Sequence, residues 1–162
     1  MKANVLVIAN RTAASPDLLG ALAELAGRRP VRFHLLVPPT APGPDARATA
    51  RDNLQEALTR LEDAGLEATG DVGTDSDPVV AAIEAFDPAR HDEIIVSTLP
   101  ESASHWLDCD GPVRIGRATG ALVHHVVARE TPAPHVVHLD RHPHGQGILT
   151  PLVPLTYGSR PS

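Results

Sequence analysis

The sequence predicts an α/β domain whose parallel sheet is wound on both faces by helices. Apolar runs without alternation recur along the chain, as at residues 5–9 and at Ile94-Ile95-Val96, the pattern of strands covered on both sides. Segments with apolar residues at helical spacing separate them. The resulting order β, α, β, α, β, α, β, α, β implies a doubly wound parallel sheet with right-handed crossovers.

Residues 5–9 form the first strand. Ser15, Pro16 and Asp17 read as a helix start, with Ser15 accepting from free N–H groups and Pro16 standing where no donor is needed. Leu18, Leu22 and Leu25 share an apolar face, and Gly27 with Pro30 is expected to end the helix. Residues 31–37 form the second strand, after which Pro38, Pro39, Pro42, Gly43 and Pro44 force a loop. Asp45 is the expected cap of the next helix, in which Leu54, Leu58 and Leu61 recur at helical spacing and Gly65 supplies the stop.

Residues 66–72, interrupted by Gly70, read as a weaker strand suited to a sheet edge. Asp77-Pro78 opens a third helix with Val79, Ile83 and Phe86 on one side, closed before Pro88. Residues 93–98 form the fourth strand, 99–111 a long connecting segment, 112–119 a short helix and 121–128 the last strand. Beyond Arg129 the periodicity ends, and Thr131-Pro132-Ala133-Pro134 reads as a linker. The domain is therefore expected over residues 1–129, with a Pro- and His-containing extension over 130–162.

The chain's 162 residues suit one domain. Its apolar fraction of 42% includes only Phe33, Phe86, Trp106 and Tyr157 as aromatics, so the core must be aliphatic. A formal charge of -6 without a Lys/Arg run argues against nucleic acid as a partner. Cys109 is the single cysteine, so no intrachain disulfide can form and a reducing compartment fits. The first apolar run is too short for a signal core or a membrane span. A soluble, cytoplasmic protein is expected.

The five strands, the Pro-rich loop after the second and the ordered stretch from Gly70 through Asp77-Pro78 to Thr98 resemble the universal stress protein family. The resemblance runs from Asn4 to about Arg129 and implies a strand order 3-2-1-4-5. It also implies a homodimer through the last strand, with the C-terminal extension beside it, and a ligand crevice between the first and fourth strands. The physics of open α/β sheets favours the same place, because connections diverge at the topological switch point and leave a cleft beyond the strand ends. The crevice residues expected on this basis are Asn10, Arg11, Thr12, Val37, Ser97, Thr98, Asp110 and Gly111.

Nucleotide-binding members of that family carry Asp-Gly-Ser after the first strand, where this chain has Asn10-Arg11-Thr12. Asn10 still offers an oxygen and Thr12 a hydroxyl to a neutral sugar or base. After the fourth strand those members carry Gly, two residues, Gly, nine residues, Gly and then Ser or Thr. By spacing these positions fall on Ser97, Pro100, Asp110 and Gly111. Pro100 removes a backbone donor and Asp110 adds negative charge, so ATP binding in the family's usual manner is not expected. Gly111-Pro112 begins a helix, which compensates in part through its free N–H groups. The expected function is a non-catalytic stress-response module without a cofactor. The alternative is an ATP- or AMP-binding switch with weak ATPase activity.

Other residues have simpler readings. His135, His138, His142 and His144 around Asp140 have spacings that could gather imidazoles at a metal, but their Pro/Gly-containing segment reads as a solvated tail and no metal is assigned. His124 and His125 point to opposite faces of the last strand and cannot serve one site. Spacing allows Ile148, Leu149, Leu152, Val153 and Leu155 to cover either a partner's edge or their own domain. Cys109 between Asp108 and Asp110 is a poor nucleophile, since both carboxylates disfavour its thiolate. Ser102 and Ser104 near His105 lack a Gly-x-Ser-x-Gly elbow. Asp71, Asp75 and Asp77 lack the calcium loop's glycine and terminal Glu, and capping by Ser76 or Asp77 explains them. Trp106 is expected to anchor its segment by packing.

Overall fold

A computed structural model describes residues 1–129. The expectations for the tail histidines and the apolar tail residues lie outside the described residues. Within them, five strands form one parallel sheet: β1 (Ala3–Ile8), β2 (Val31–Val37), β3 (Ala68–Val72), β4 (Glu93–Thr98) and β5 (Leu122–Val127). Their order is β3-β2-β1-β4-β5, which puts β1 in the middle. The helices are α1 (Pro16–Arg28), α2 (Pro44–Asp63), α3 (Pro78–Ala85), α4 (Pro100–Asp108) and α5 (Gly111–Thr119).

The unbroken apolar runs follow from burial on two faces. Val5 and Val7 of β1 enter one core with Phe33 and Leu35 of β2, roofed by Leu18 and Leu22 of α1 and by Leu54 and Leu61 of α2. Leu6 and Ile8 point the other way, toward Val79 and Ala82 of α3, Trp106 of α4 and Ile115 of α5. Each fully buried aliphatic side chain contributes about 1.5–3 kcal/mol. A polar residue at any of these four β1 positions would face a closed interior whichever side it took.

Capping chemistry is local and largely as the sequence suggests. Ser15 accepts from the Asp17 N–H, and Asp77 Oδ1 accepts from Val79 and Val80, with a Pro following each cap. The Asp77 N–H is itself held by Asp75 Oδ1 at 2.8 Å, so both acids serve the helix start. Asp45 differs from expectation. Gly43 takes the cap position and Pro44 begins α2, leaving Asp45 in the first turn, where its charge complements the helix dipole.

Other boundaries shift for identifiable reasons. Gly27 lies inside α1, which ends when Arg29 becomes extended ahead of Pro30. Gly65 stops α2 as expected, with a φ of 73° in the left-handed region. Ile83 is 37% exposed, because the buried face of the short α3 runs through Val79, Ala81 and Ala82. Residues 100–108, expected as part of an irregular connection, form α4, with Pro100 at its first turn and Trp106 buried.

One buried carboxylate ties three elements together. Glu93, at the start of β4, is 6% exposed and accepts from Arg29 beyond α1 and from His124 Nε2 of β5 at 3.0 Å. Pairing on both oxygens is what allows a carboxylate to remain there.

At Gly70, on the edge strand β3, α2 packs against the sheet. A Cβ at this position would stand 2.5 Å from Leu54 Cδ1 and 2.8 Å from the Leu35 carbonyl oxygen. Gly70→Ala is therefore expected to destabilise the fold by about 1–3 kcal/mol, because the backbone oxygen cannot yield. Urea unfolding of the two proteins measures this, and equal midpoints would contradict the packing described.

Candidate functional site

The cleft forms where the connections from β1 and β4 part. β1 runs into α1 on one face, whereas β4 runs into α4 and α5 on the other, so the carboxyl ends of these adjacent strands open outward. The turn after β1 is fixed by backbone bonds from Ala13 N–H to Asn10 O (2.9 Å) and from Ser15 N–H to Thr12 O (3.0 Å). Side chains then stitch it to its neighbours. Asn10 Nδ2 donates to the Pro38 carbonyl beyond β2, and Thr12 Oγ1 approaches the Ser97 carbonyl of β4 at 3.4 Å.

The cleft encloses roughly 280 Å³. Of the residues expected to line it, Asn10, Arg11, Thr12, Ser97 and Thr98 do so. Three do not. Val37, the last residue of β2, is fully buried in the core, and Pro38 and Thr40 supply that wall instead. Asp110 is an exposed residue in the left-handed region (φ 50°), and Gly111 is buried under another side chain. Asp110 and Gly111 follow the nine residues of α4, at the start of α5.

A further wall comes from the starts of α3 and α4. Ser76 and Pro78 at the start of α3, with Leu99 and Ser102 at the start of α4, close the cleft opposite Asn10. Six hydroxyl-bearing residues, Thr12, Thr40, Ser76, Ser97, Thr98 and Ser102, line it with apolar Pro38, Pro78 and Leu99 between them. Among the described residues, Arg11 is the one charged side chain in the lining and no carboxylate or histidine contributes. Such a wall can hydrogen-bond a polyol or a base edge and can complement an anion.

A second groove of roughly 390 Å³ adjoins the first and shares Ser76, Pro78, Thr98 and Ser102 with it. Trp106 forms part of its wall, with Arg114 and Asp77 nearby. The indole lies directly on Gly111, where a Cβ would come within 2.5 Å of the Trp106 ring carbon Cε3. Only glycine permits this contact, and the contact covers the first residue of α5. His125 supports the indole from β5, with ring centroids 5.9 Å apart, and bonds to Thr98 Oγ1 at 2.7 Å. Burial holds the His125 imidazole below its ordinary pKa. Trp106 Nε1 and Ser97 Oγ are buried without a hydrogen-bond partner among the described residues.

His124 and His125 take separate partners, Glu93 and Thr98, on opposite faces of β5. Cys109 lies 3.6 Å from His105 Nε2, one helical turn away, a pairing readable from their four-residue spacing. No group of three or more His, Cys, Asp or Glu among the described residues is placed to hold a metal ion. Among the described residues, no helix is long and apolar enough to cross a membrane.

No family model and no curated protein matches the chain. Solved structures do. A universal stress protein in complex with cAMP is 21% identical, covering 78% of this chain and 98% of its own, with a TM-score of 0.54. The universal stress protein from Archaeoglobus fulgidus in complex with dAMP is 13% identical over 78% of this chain and 98% of its own, with a TM-score of 0.56. A protein of the same family from Burkholderia pseudomallei is 18% identical over 78% of this chain and 96% of its own, with a TM-score of 0.53. The strand order, the cleft at the switch point and these overlays agree: the chain has the fold of the universal stress proteins.

Proposed function

We propose that this chain is a cytoplasmic regulatory module of the universal stress protein family, acting by reversible binding of a nucleoside monophosphate in the cleft and without turnover. The observation that carries this reading is the seat of Trp106 on Gly111, which covers the start of α5. A polyphosphate needs open backbone N–H groups at such a helix start. Here the indole occupies that approach, Pro100 lacks an N–H and Asp110 adds a carboxylate. The hydroxyl-lined cleft suits the smaller sugar and base, and Arg11 supplies one positive charge. Two proteins of like fold hold cAMP and dAMP, both monophosphates.

Thermal melting separates this reading from an ATP switch. A ligand at about a hundred times its Kd stabilises the fold by roughly 2.7 kcal/mol. Millimolar AMP or cAMP is expected to raise Tm by several degrees, and ATP with Mg²⁺ to leave it unchanged. A larger rise with ATP overturns the proposal.

Trp106 supplies a second test. Trp106→Ala is expected to lose about 3–5 kcal/mol of stability through the cavity it opens, whereas Trp106→Phe keeps much of the packing and removes the unpartnered indole N–H. Urea unfolding should therefore rank Phe close to the parent chain and Ala far below it. Equal losses in both would remove the packing role.

The module is proposed to act as a homodimer through β5. Among the described residues this strand pairs on one side only, and Leu122 and Val127 at its two ends, on opposite faces, are 63% and 49% exposed. An uncovered strand edge gains hydrogen-bond partners by pairing with a second copy. Light scattering should give twice the chain mass of 17.1 kDa, and Leu122→Glu with Val127→Glu should return it to one chain. A parent protein of single-chain mass overturns the dimer.

A further inference from the structure

At the edge of the sheet remote from the cleft, three side chains form a hydrogen-bonded row with one allowed polarity. His34 of β2 and His91, two residues before β4 in the 86–92 connection, approach through Nδ1 and Nε2 at 3.0 Å, their rings inclined by 21°. His34 Nε2 lies 3.0 Å from Asp71 Oδ2 of β3. At the other end, the backbone N–H of Asp87 donates to His91 Nδ1 at 3.1 Å. Because Asp87 N–H can only donate, His91 Nδ1 must be bare and its proton must sit on Nε2. That proton is given to His34 Nδ1, which places the His34 proton on Nε2, facing the Asp71 carboxylate. Every proton in the row is thereby assigned.

We propose that this row is an acid-released latch, holding the segment that leads into β4 against the β2–β3 edge when both imidazoles are neutral and letting it go when either takes a proton. The reason lies in the geometry. If His91 is protonated, its new Nδ1–H confronts the Asp87 N–H. If His34 is protonated, its Nδ1–H needs an acceptor at His91 Nε2, and the His91 proton must move to Nδ1, with the same confrontation. Either route breaks the Asp87 bond, and His91 closes that turn twice, since its own N–H also donates to the Asp87 carbonyl at 2.7 Å. The same argument opposes a metal between the rings, because a His91 coordinating through Nε2 would carry its proton on Nδ1.

The surroundings of His91 favour its neutral form. His91 is 5% exposed, with the Phe86 ring 5.9 Å away. Arg90 on its own segment and Arg32 of β2, which faces Asn4 across the same polar pocket, oppose added positive charge there. Arg32 is itself paired with Glu67, which Lys2 also meets. Asp87 and Asp92 pull the other way, but Asp87 Oδ1 is engaged by Ala89 N–H and Asp92 Oδ2 by the Asn4 N–H of β1. Burial first, then His34 and Arg90, keeps the His91 imidazole below its ordinary value of 6.5. The unfolded chain therefore binds this proton more tightly than the folded one. The latch's contribution is complete above the unfolded value near 6.5 and is lost as pH falls through the lower folded value.

The test uses the full chain. Long-range nitrogen–proton NMR at pH 8 should show both His34 and His91 as Nε2–H tautomers, with His91 titrating below 6.5. Melting of the parent chain and of His91→Gln, followed from pH 8 to pH 5, should show a Tm gap of about 3–5 °C that closes on acidification. A gap that persists unchanged to pH 5 means packing alone and overturns the latch. A His91 that carries its proton on Nδ1 at pH 8 overturns it equally, and that readout decides the matter if His91→Gln fails to fold.

Discussion

Val5, Leu6, Val7 and Ile8 lose essentially all contact with solvent, and the rest of the molecule is arranged around that fact. A strand closed on both faces needs partners on both edges and helices on both sides, since any open flank would expose apolar surface or unpaired backbone. β2 and β4 supply the edges, α1 and α2 one roof, and α3, α4 and α5 the other. Chain connection must then reverse direction beside β1. The cleft is the geometric consequence of that reversal.

Two of the buried polar contacts stand at the ends of β4, where a side chain can reach a partner without crossing the core. Glu93 sits at the first residue of β4 between Arg29 and His124, while Thr98 sits at the last and meets His125. The row of His34, His91 and Asp71 joins β2 and β3 to the connection that leads into β4. Histidine recurs in these places because a neutral imidazole both donates and accepts. A half-buried network can thus be completed without a net charge.

Much of the fold was legible because the deciding signals are local. The apolar run of β1, the Ser15-Pro16 and Asp77-Pro78 starts and the stop at Gly65 each depend on a few adjacent residues. The segment 100–108 was harder to read, since Pro100, two serines and an isolated Trp give a weak helical pattern until Trp106 finds its seat. For the cleft, the residues directly after β1 and at the end of β4 were legible from strand position alone. Pro38, Ser76 and Leu99 were not, because each comes from a connection whose path depends on packing.

By itself the sequence determined the alternation of strands and helices, the caps that start them and the burial of β1, since these follow from hydrophobic period and backbone stereochemistry over a few residues. Tertiary structure alone decided that Trp106 would lie on Gly111, that Val37 would be sealed in the core and that His34 would meet His91 across a separation of 57 residues. Such contacts join positions whose distance apart in the chain carries no periodic signal. They exist only once the sheet has fixed which strand ends stand side by side.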